Sequence, residues 1–203
     1  ARRQPRTATP AAVPGELVTS RRFGVEIELT HLRVDAFISD MASHGVTVRR
    51  GRYAENSPED WILKTDGSVH GQGLELVSPP LSGVKGLAVL KYVIDMVKAN
   101  GGQVDSSCGL HVHHSAQDLT GPHLRNLLTI WHKYQDMLYM VCDPARASNR
   151  YCAKLTPEDF RTYHAMSDSA IVRNLRSMDR YAGLNFAALA RHSTVEFRLL
   201  EGT

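Results

Sequence analysis

The segment Cys108-Gly109-Leu110-His111-Val112-His113-His114 sets two imidazoles at alternate positions in an apolar background. Side chains of an extended strand alternate between faces, so His111 and His113 share one face while Leu110 and Val112 share the other. The design recurs in Phe23-Gly24-Val25-Glu26-Ile27-Glu28-Leu29, in Leu74-Glu75-Leu76-Val77 and in Val195-Glu196-Phe197-Arg198-Leu199. If these four strands share one sheet, Glu26, Glu28, Glu75, His111, His113, Glu196 and Arg198 line a single concave surface. Two neighbouring carboxylates on one face, as Glu26 and Glu28 are, repel unless a cation or an arginine lies between them. An oxygen-rich donor set with one or two imidazoles suits a hard divalent cation, Mg2+ or Mn2+. Zinc is less favoured, since the sequence has neither an HExxH pattern nor a cysteine set. Several carboxylates exceed what one structural ion needs. They suit two or three cations that neutralise phosphates, with Arg198 offsetting the charge of a phosphoryl or acyl-phosphate group. The same inventory serves metal-assisted hydrolysis, and residue types alone do not separate the two reactions.

The elements that must position these groups are readable in order. Arg22 to Thr30 alternates as a strand, and Val34 to His44 carries apolar residues at helical spacing up to Gly45. Val46 to Arg50 reads as a short strand, and Trp61 to Thr65 as another that runs into the turn Asp66-Gly67-Ser68. Aspartate before glycine ordinarily shapes the turn, with a binding role for Asp66 as the minority alternative. Leu74 to Val77 ends at Ser78-Pro79-Pro80, because proline cannot donate to a ladder. A helix from Val84 stops near Asn100-Gly101-Gly102. Thr120-Gly121-Pro122 opens the longest helix, whose expected buried stripe is Leu124, Leu127, Leu128, Trp131, Tyr134, Leu138 and Val141. Thr156-Pro157-Glu158-Asp159 has the form of a helix start, and Asp168 to Met178 reads as a further helix. Tyr181 to Ala190 reads as a strand carrying Asn185, with a helix as the alternative, and Thr194 to Leu200 as a firmer strand. Arg146, Arg150, Arg173, Arg176 and Arg180 form the densest arginine supply, suited to bidentate contact with phosphate or carboxylate.

Length and composition bound the answer. The 203 residues, 42% of them hydrophobic, make one sizeable core. Lysine and arginine exceed aspartate and glutamate by 24 to 21, too small an excess to argue for nucleic acid. An odd count of 3 cysteines at no zinc spacing favours a reducing compartment. No apolar run approaches a membrane span and no signal peptide is evident, so the cytoplasm is the expected location. Residues 1–20 carry Arg2, Arg3 and Arg6 among prolines and are expected to form a flexible basic arm. Neither a Walker-type phosphate loop nor a dinucleotide fingerprint occurs.

With these residues in view, the chain resembles the putative amidoligase family, relatives of glutamine synthetase and glutamate-cysteine ligase in the carboxylate-amine ligase superfamily. The matching pieces are Phe23-Gly24-Val25-Glu26-Ile27-Glu28, Asp66-Gly67-Ser68, Glu75-Leu76-Val77-Ser78-Pro79, Gly109-Leu110-His111-Val112-His113, Asn185, and Thr194-Val195-Glu196-Phe197-Arg198 with Gly202-Thr203. They run in the family's order from Arg21 to the end, and their joint presence is far more specific than any one tripeptide. The resemblance implies an α+β fold, a curved, mainly antiparallel sheet around the site with helices on its outer face, as in the glutamine synthetase catalytic domain. That catalytic domain is expected over residues 21–203, and whether a C-terminal segment follows Gly202-Thr203 is left open. It implies an ATP-dependent ligase that phosphorylates a carboxylate and lets an amine attack the acyl phosphate. By motif, Glu26, Glu28, Glu75, His111 and Glu196 resemble the Mg2+ or Mn2+ ligands. His113 resembles a nucleotide-phosphate contact, and Arg198 the arginine that steadies the transferring phosphoryl group. Asp66 and Asn185 would help position substrate, and Arg146, Arg150 or Arg180 would contact phosphate or the acceptor carboxylate. Implied partners are a small-molecule or peptide carboxylate and an amine, with homo-oligomerisation left open. A metal-binding assembly module of the same fold and a metal-dependent hydrolase are the alternatives.

Overall fold

Seven strands and six helices lie among the described residues, 20–52 and 55–202, of a computed structural model. The expected basic arm therefore lies, apart from Ser20, outside the described residues. In order the elements are β1 (Phe23–Leu29), α1 (Val34–Ser43), β2 (Val48–Arg50), β3 (Trp61–Thr65) and β4 (Leu74–Val77). There follow α2 (Gly83–Ala99), β5 (Gly109–Ser115), α3 (Gly121–Met140), α4 (Pro157–His164) and α5 (Asp168–Leu175), then β6 (Leu184–Asn185), α6 (Ala188–Arg191) and β7 (Thr194–Glu201). All strands join one sheet in the order β2-β3-β4-β1-β5-β7-β6.

The sheet corrects the expectation of a curved one wrapped around the site. It is open, with β2 and β6 as its two ends, and mixed, because β2 and β3 pair parallel while every other pairing is antiparallel. Concavity comes instead from chain laid over the polar face. The segment 176–181 and the residues around α6 wall a cavity against β1, β4, β5 and β7. Strands of two to eight residues give that face little length over which to curl.

Apolar alternation supplies the other face. Val25, Ile27 and Leu29 of β1 pack against Phe37 and Met41 of α1 and Val93 and Val97 of α2. Val195 and Leu199 of β7 pack with Leu124, Leu128 and Trp131 of α3 and Ile171 and Leu175 of α5. Helices thus cover the apolar face because each offers a stripe to a strand whose alternate residues are polar. Thr156 caps α4 as its sequence signals, its hydroxyl accepting from Asp159 N at 3.0 Å.

Two helical expectations change. The stripe of α3 turns through Gln135 and Tyr139 rather than Tyr134 and Leu138, which are exposed with Val141. Gln135 is held there by two hydrogen bonds to one residue. Its Nε2 donates to Leu155 O at 2.8 Å and its Oε1 accepts from Leu155 N at 2.9 Å. The Tyr139 hydroxyl donates to Cys152 O. A glutamine that satisfies a buried backbone unit outcompetes a tyrosine one position earlier. The segment 181–190 divides into the two-residue β6 and the short α6. Among the described residues no helix is long and apolar enough to cross a membrane.

Candidate functional site

Register brings the polar side chains together in rows across the sheet. Glu26 of β1 lies opposite His111 of β5, and His113 lies opposite Glu196 of β7, which is paired in turn with Asn185 of β6. One row further along, Glu28 faces Glu75 of β4, and Glu75 faces Lys64 of β3. The centre is a tight polar array. His111 Nδ1 is 3.1 Å from Glu26 Oε2, and His111 Nε2 is 3.6 Å from Glu28 Oε1. Arg198 Nη1 donates to Glu196 Oε1 at 2.6 Å and stands 3.5 Å from His111 Nδ1. Asn185 Nδ2 donates to the other oxygen of Glu196 at 2.5 Å.

Arg198 reaches this position through an irregularity that the sequence pattern does not announce. Leu110 pairs with Leu200 but Val112 pairs with Phe197, so two residues of β7, Arg198 and Leu199, stand opposite His111 alone. Such a bulge redirects a side chain and leaves backbone groups without ladder partners. The side chain of Arg146, 3% exposed, takes up the slack, donating from Nε to Leu199 O at 3.0 Å and from Nη2 to Arg198 O at 2.6 Å. Arg198 Nε also donates to Tyr151 O at 3.1 Å. Gly109 is needed beside it. Its N–H donates to Glu28 Oε2 at 2.6 Å, and a Cβ there would meet His111 Nε2, Arg146 Nη2 and Glu28 Oε2 at 3.1 to 3.3 Å.

Three groups of side chains are spaced to hold a cation: Glu26, Glu75 and His111; Glu26, His113 and Glu196; and Glu28, Asp66 and Glu75. Within each, one donor atom per residue lies within 4.8 Å of the others. Asp66 serves its turn as well, with Oδ1 accepting from Ser68 N at 2.7 Å. The donor sets fit a hard divalent ion, being carboxylate oxygens with one imidazole at most. A second observation agrees. His113 Nδ1 is engaged with Thr194 Oγ1 at 2.9 Å, while its buried Nε2 makes no hydrogen bond although Glu26 Oε1 and Glu196 Oε1 lie 3.4 and 3.7 Å away. A nitrogen aimed between two carboxylates is placed for a shared cation.

Electrostatics of the metal-free array follow from burial opposed by neighbours. Burial, joined by the charge of Glu26, raises the pKa of Glu75 to about 8 against the opposing pull of Lys64, 3.7 Å away. Burial also raises Glu28, which His111 and the Gly109 N–H only partly offset. Glu26 goes the other way, since its two imidazole neighbours outweigh burial and hold it well below the usual carboxylate range. Burial depresses His113, but Glu26 and Glu196 outweigh it and the net shift is upward.

The array floors a cavity of about 800 Å³ whose rim carries Arg176, Arg180 and Arg191. A smaller one of about 300 Å³, walled by Phe23, Val77 and Pro80, adjoins it and shares Glu26, Asn56, His113 and His192. All the expected metal-ligand candidates, with His113, Asp66, Asn185, Arg180 and Arg198, meet at the larger cavity. Arg146 and Arg150 do not line it. Arg146 supports the bulge from behind, and Arg150 stacks over the ring of Tyr151 at 4.7 Å. Sequence reasoning missed Lys64, Thr194, Arg191 and His192. Alternation could have found Lys64, on the face opposite the core residues Trp61 and Leu63, and Thr194, two residues before Glu196. His192 sits at the junction of both cavities after a four-residue helix, where no periodicity points to it.

Fold and site define an α+β protein whose open sheet carries a carboxylate and imidazole array able to hold divalent metal. The family model described as putative amidoligase enzyme matches residues 19–203, and the chain belongs to that family. A search among curated proteins gave no match to this chain.

Proposed function

We propose that the protein is an ATP-dependent carboxylate-amine ligase working with Mg2+ or Mn2+. The observation that carries this reading is the Arg198 guanidinium, fixed 2.6 Å from Glu196 and 3.5 Å from His111, each a member of a cation-sized group of carboxylates and imidazole. A cation site for hydrolysis alone has no need of an arginine locked into its centre, whereas transfer of a phosphoryl group does. In the reaction, a carboxylate oxygen of the acid attacks the γ-phosphorus of ATP and ADP leaves. The amine nitrogen then attacks the acyl carbon, loses its proton, and expels inorganic phosphate to leave an amide.

Glu26, Glu28, Glu75, His111 and Glu196, with Asp66, would hold the metal, which supplies charge neutralisation for the phosphates. Asn185 keeps Glu196 turned towards Arg198. Arg198 faces the negative charge on the transferring group, and His113 Nε2, aimed between Glu26 and Glu196, would join them in holding a cation. Arg176, Arg180 and Arg191 on the rim receive the acceptor carboxylate, which belongs to a small molecule or a peptide. Crowded carboxylates that retain a proton without metal, as Glu75 does, are stabilised in their ionised form by a cation.

Hydroxylamine as a surrogate amine tests the reading. The chain with ATP, Mg2+ and a panel of carboxylic acids should yield hydroxamate and ADP in equal amounts for at least one acid class. ATP breakdown without hydroxamate from any acid would point to hydrolysis and contradict the proposal.

A further inference from the structure

The face of α3 turned away from the core carries an apolar seam that nothing among the described residues covers. Ile130 is 58% exposed, Tyr134 42%, Met137 63% and Val141 80%, with Leu138 and Met140 beside them. Their spacing of four, three and four residues is the a/d pattern of a helix-pairing seam, distinct from the buried stripe through Leu128, Trp131, Gln135 and Tyr139. An α-helix with two apolar faces has two things to pack against, and α3 has only its own core on one of them.

We propose that this seam is a homodimer interface in which α3 of two copies pairs antiparallel across a twofold axis. Three observations select a second copy as the occupant. The spacing reads the same in both directions, so a dyad between Gln135 and Asp136 brings Ile130 against Val141 of the partner subunit and Tyr134 against Met137 of the partner subunit. The exposed side chains offer roughly 600 Å² per copy, and roughly 1,200 Å² in a symmetric pair meets the lower bound of a specific interface. Lys133, whose ammonium lies 5.1 Å from the centre of the Tyr134 ring, and Asp136, paired with Lys154 at 2.7 Å, flank the seam, so identical faces meet charges of both signs rather than a block of one. Because α3 packs on the apolar face of the sheet, both cavities stay open in the pair.

Sedimentation velocity on the whole chain at about 100 µM, a concentration suited to an interface of minimal area, tests the proposal. The expected result is a species of twice the chain mass. Met137→Glu should weaken association by about 30-fold or more, as for a central interface residue, and Val141→Asp, at the end of the seam, should weaken it by a smaller factor. Their thermal melts at about 1 µM, a dilution at which the wild type is monomeric, should match wild type, since both side chains are in water in the single chain. A double variant with Ile130→Cys and Val141→Cys should form interchain disulfides on oxidation, and Ile130→Cys alone should not. A monomer at all concentrations, a dimer indifferent to Met137→Glu, or efficient crosslinking by Ile130→Cys alone would overturn the arrangement. So would a monomer whose residues 1–19 protect the seam from solvent.

Discussion

Replacing Glu75 with glutamine should remove a pH dependence that the metal-free protein carries in its site. The carboxyl is buried beside Glu26 and Glu28, and its pKa rises from 4.5 to about 8. Between those values the folded chain retains a proton that the unfolded chain has released. Stability from this group is therefore fully present below about 4.5 and is lost as pH rises through about 8. Each unit of difference corresponds to about 1.4 kcal/mol, so the ceiling over this window is about 5 kcal/mol. The cavity is open to water and Lys64 lies 3.7 Å away, so about 2 kcal/mol is the working expectation. Urea denaturation in chelator at pH 5 and pH 8 reads the effect. Wild type should lose about 2 kcal/mol more than Glu75→Gln across the window, leaving the variant more stable at pH 8. Glu28 and His113, shifted in the same direction, contribute in both proteins, so the difference reads Glu75 together with its interaction with Glu26 and Glu28. Superimposable pH profiles for the two proteins would refute the reasoning.

Other perturbations separate the parts of the structure. Arg198→Ala should lower hydroxamate formation by about 10²- to 10³-fold, the usual loss for one stabilising donor at a charge-developing centre, while Mg2+-ATP affinity stays within a few-fold by calorimetry. Gly109→Ala should weaken Mn2+ binding, measured by paramagnetic resonance, because its methyl group must displace Glu28, His111 or Arg146. Gln135→Ala should cost about 2–4 kcal/mol in chemical denaturation, since Leu155 N–H and C=O both lose a buried partner.

How much of this was legible in the sequence depended on periodicity. Period-two alternation around Glu26, His111 and Glu196 placed the polar face, because a strand cannot turn Val25, Val112 and Val195 towards the core without turning those neighbours the other way. The order and pairing of strands were not legible, since register depends on contacts between segments far apart in the chain. The bulge was hidden for the same reason. Val195, Phe197 and Leu199 look like uninterrupted alternation, yet Leu200 rather than Leu199 pairs with Leu110. That shift gives Arg146 its structural task, and nothing within the arginine-rich segment distinguishes it from Arg150. On α3, two apolar stripes overlap in one sequence, and only the bonds from Gln135 to Leu155 decide which one faces inward. The curvature expected of the sheet was a property of the resemblance, whereas the cavity's far wall comes from the loop 176–181 and the α6 region.

The central claim is that this array binds nucleotide phosphates through a divalent cation. Titration calorimetry of ATP into the whole chain, with Mg2+ and then in chelator, tests it most directly, with Glu28→Ala as the matched control. The account predicts binding that requires the metal and is lost in Glu28→Ala while its fold is retained. Affinity that is unchanged by chelator or by Glu28→Ala, or no binding with Mg2+ present, would contradict it.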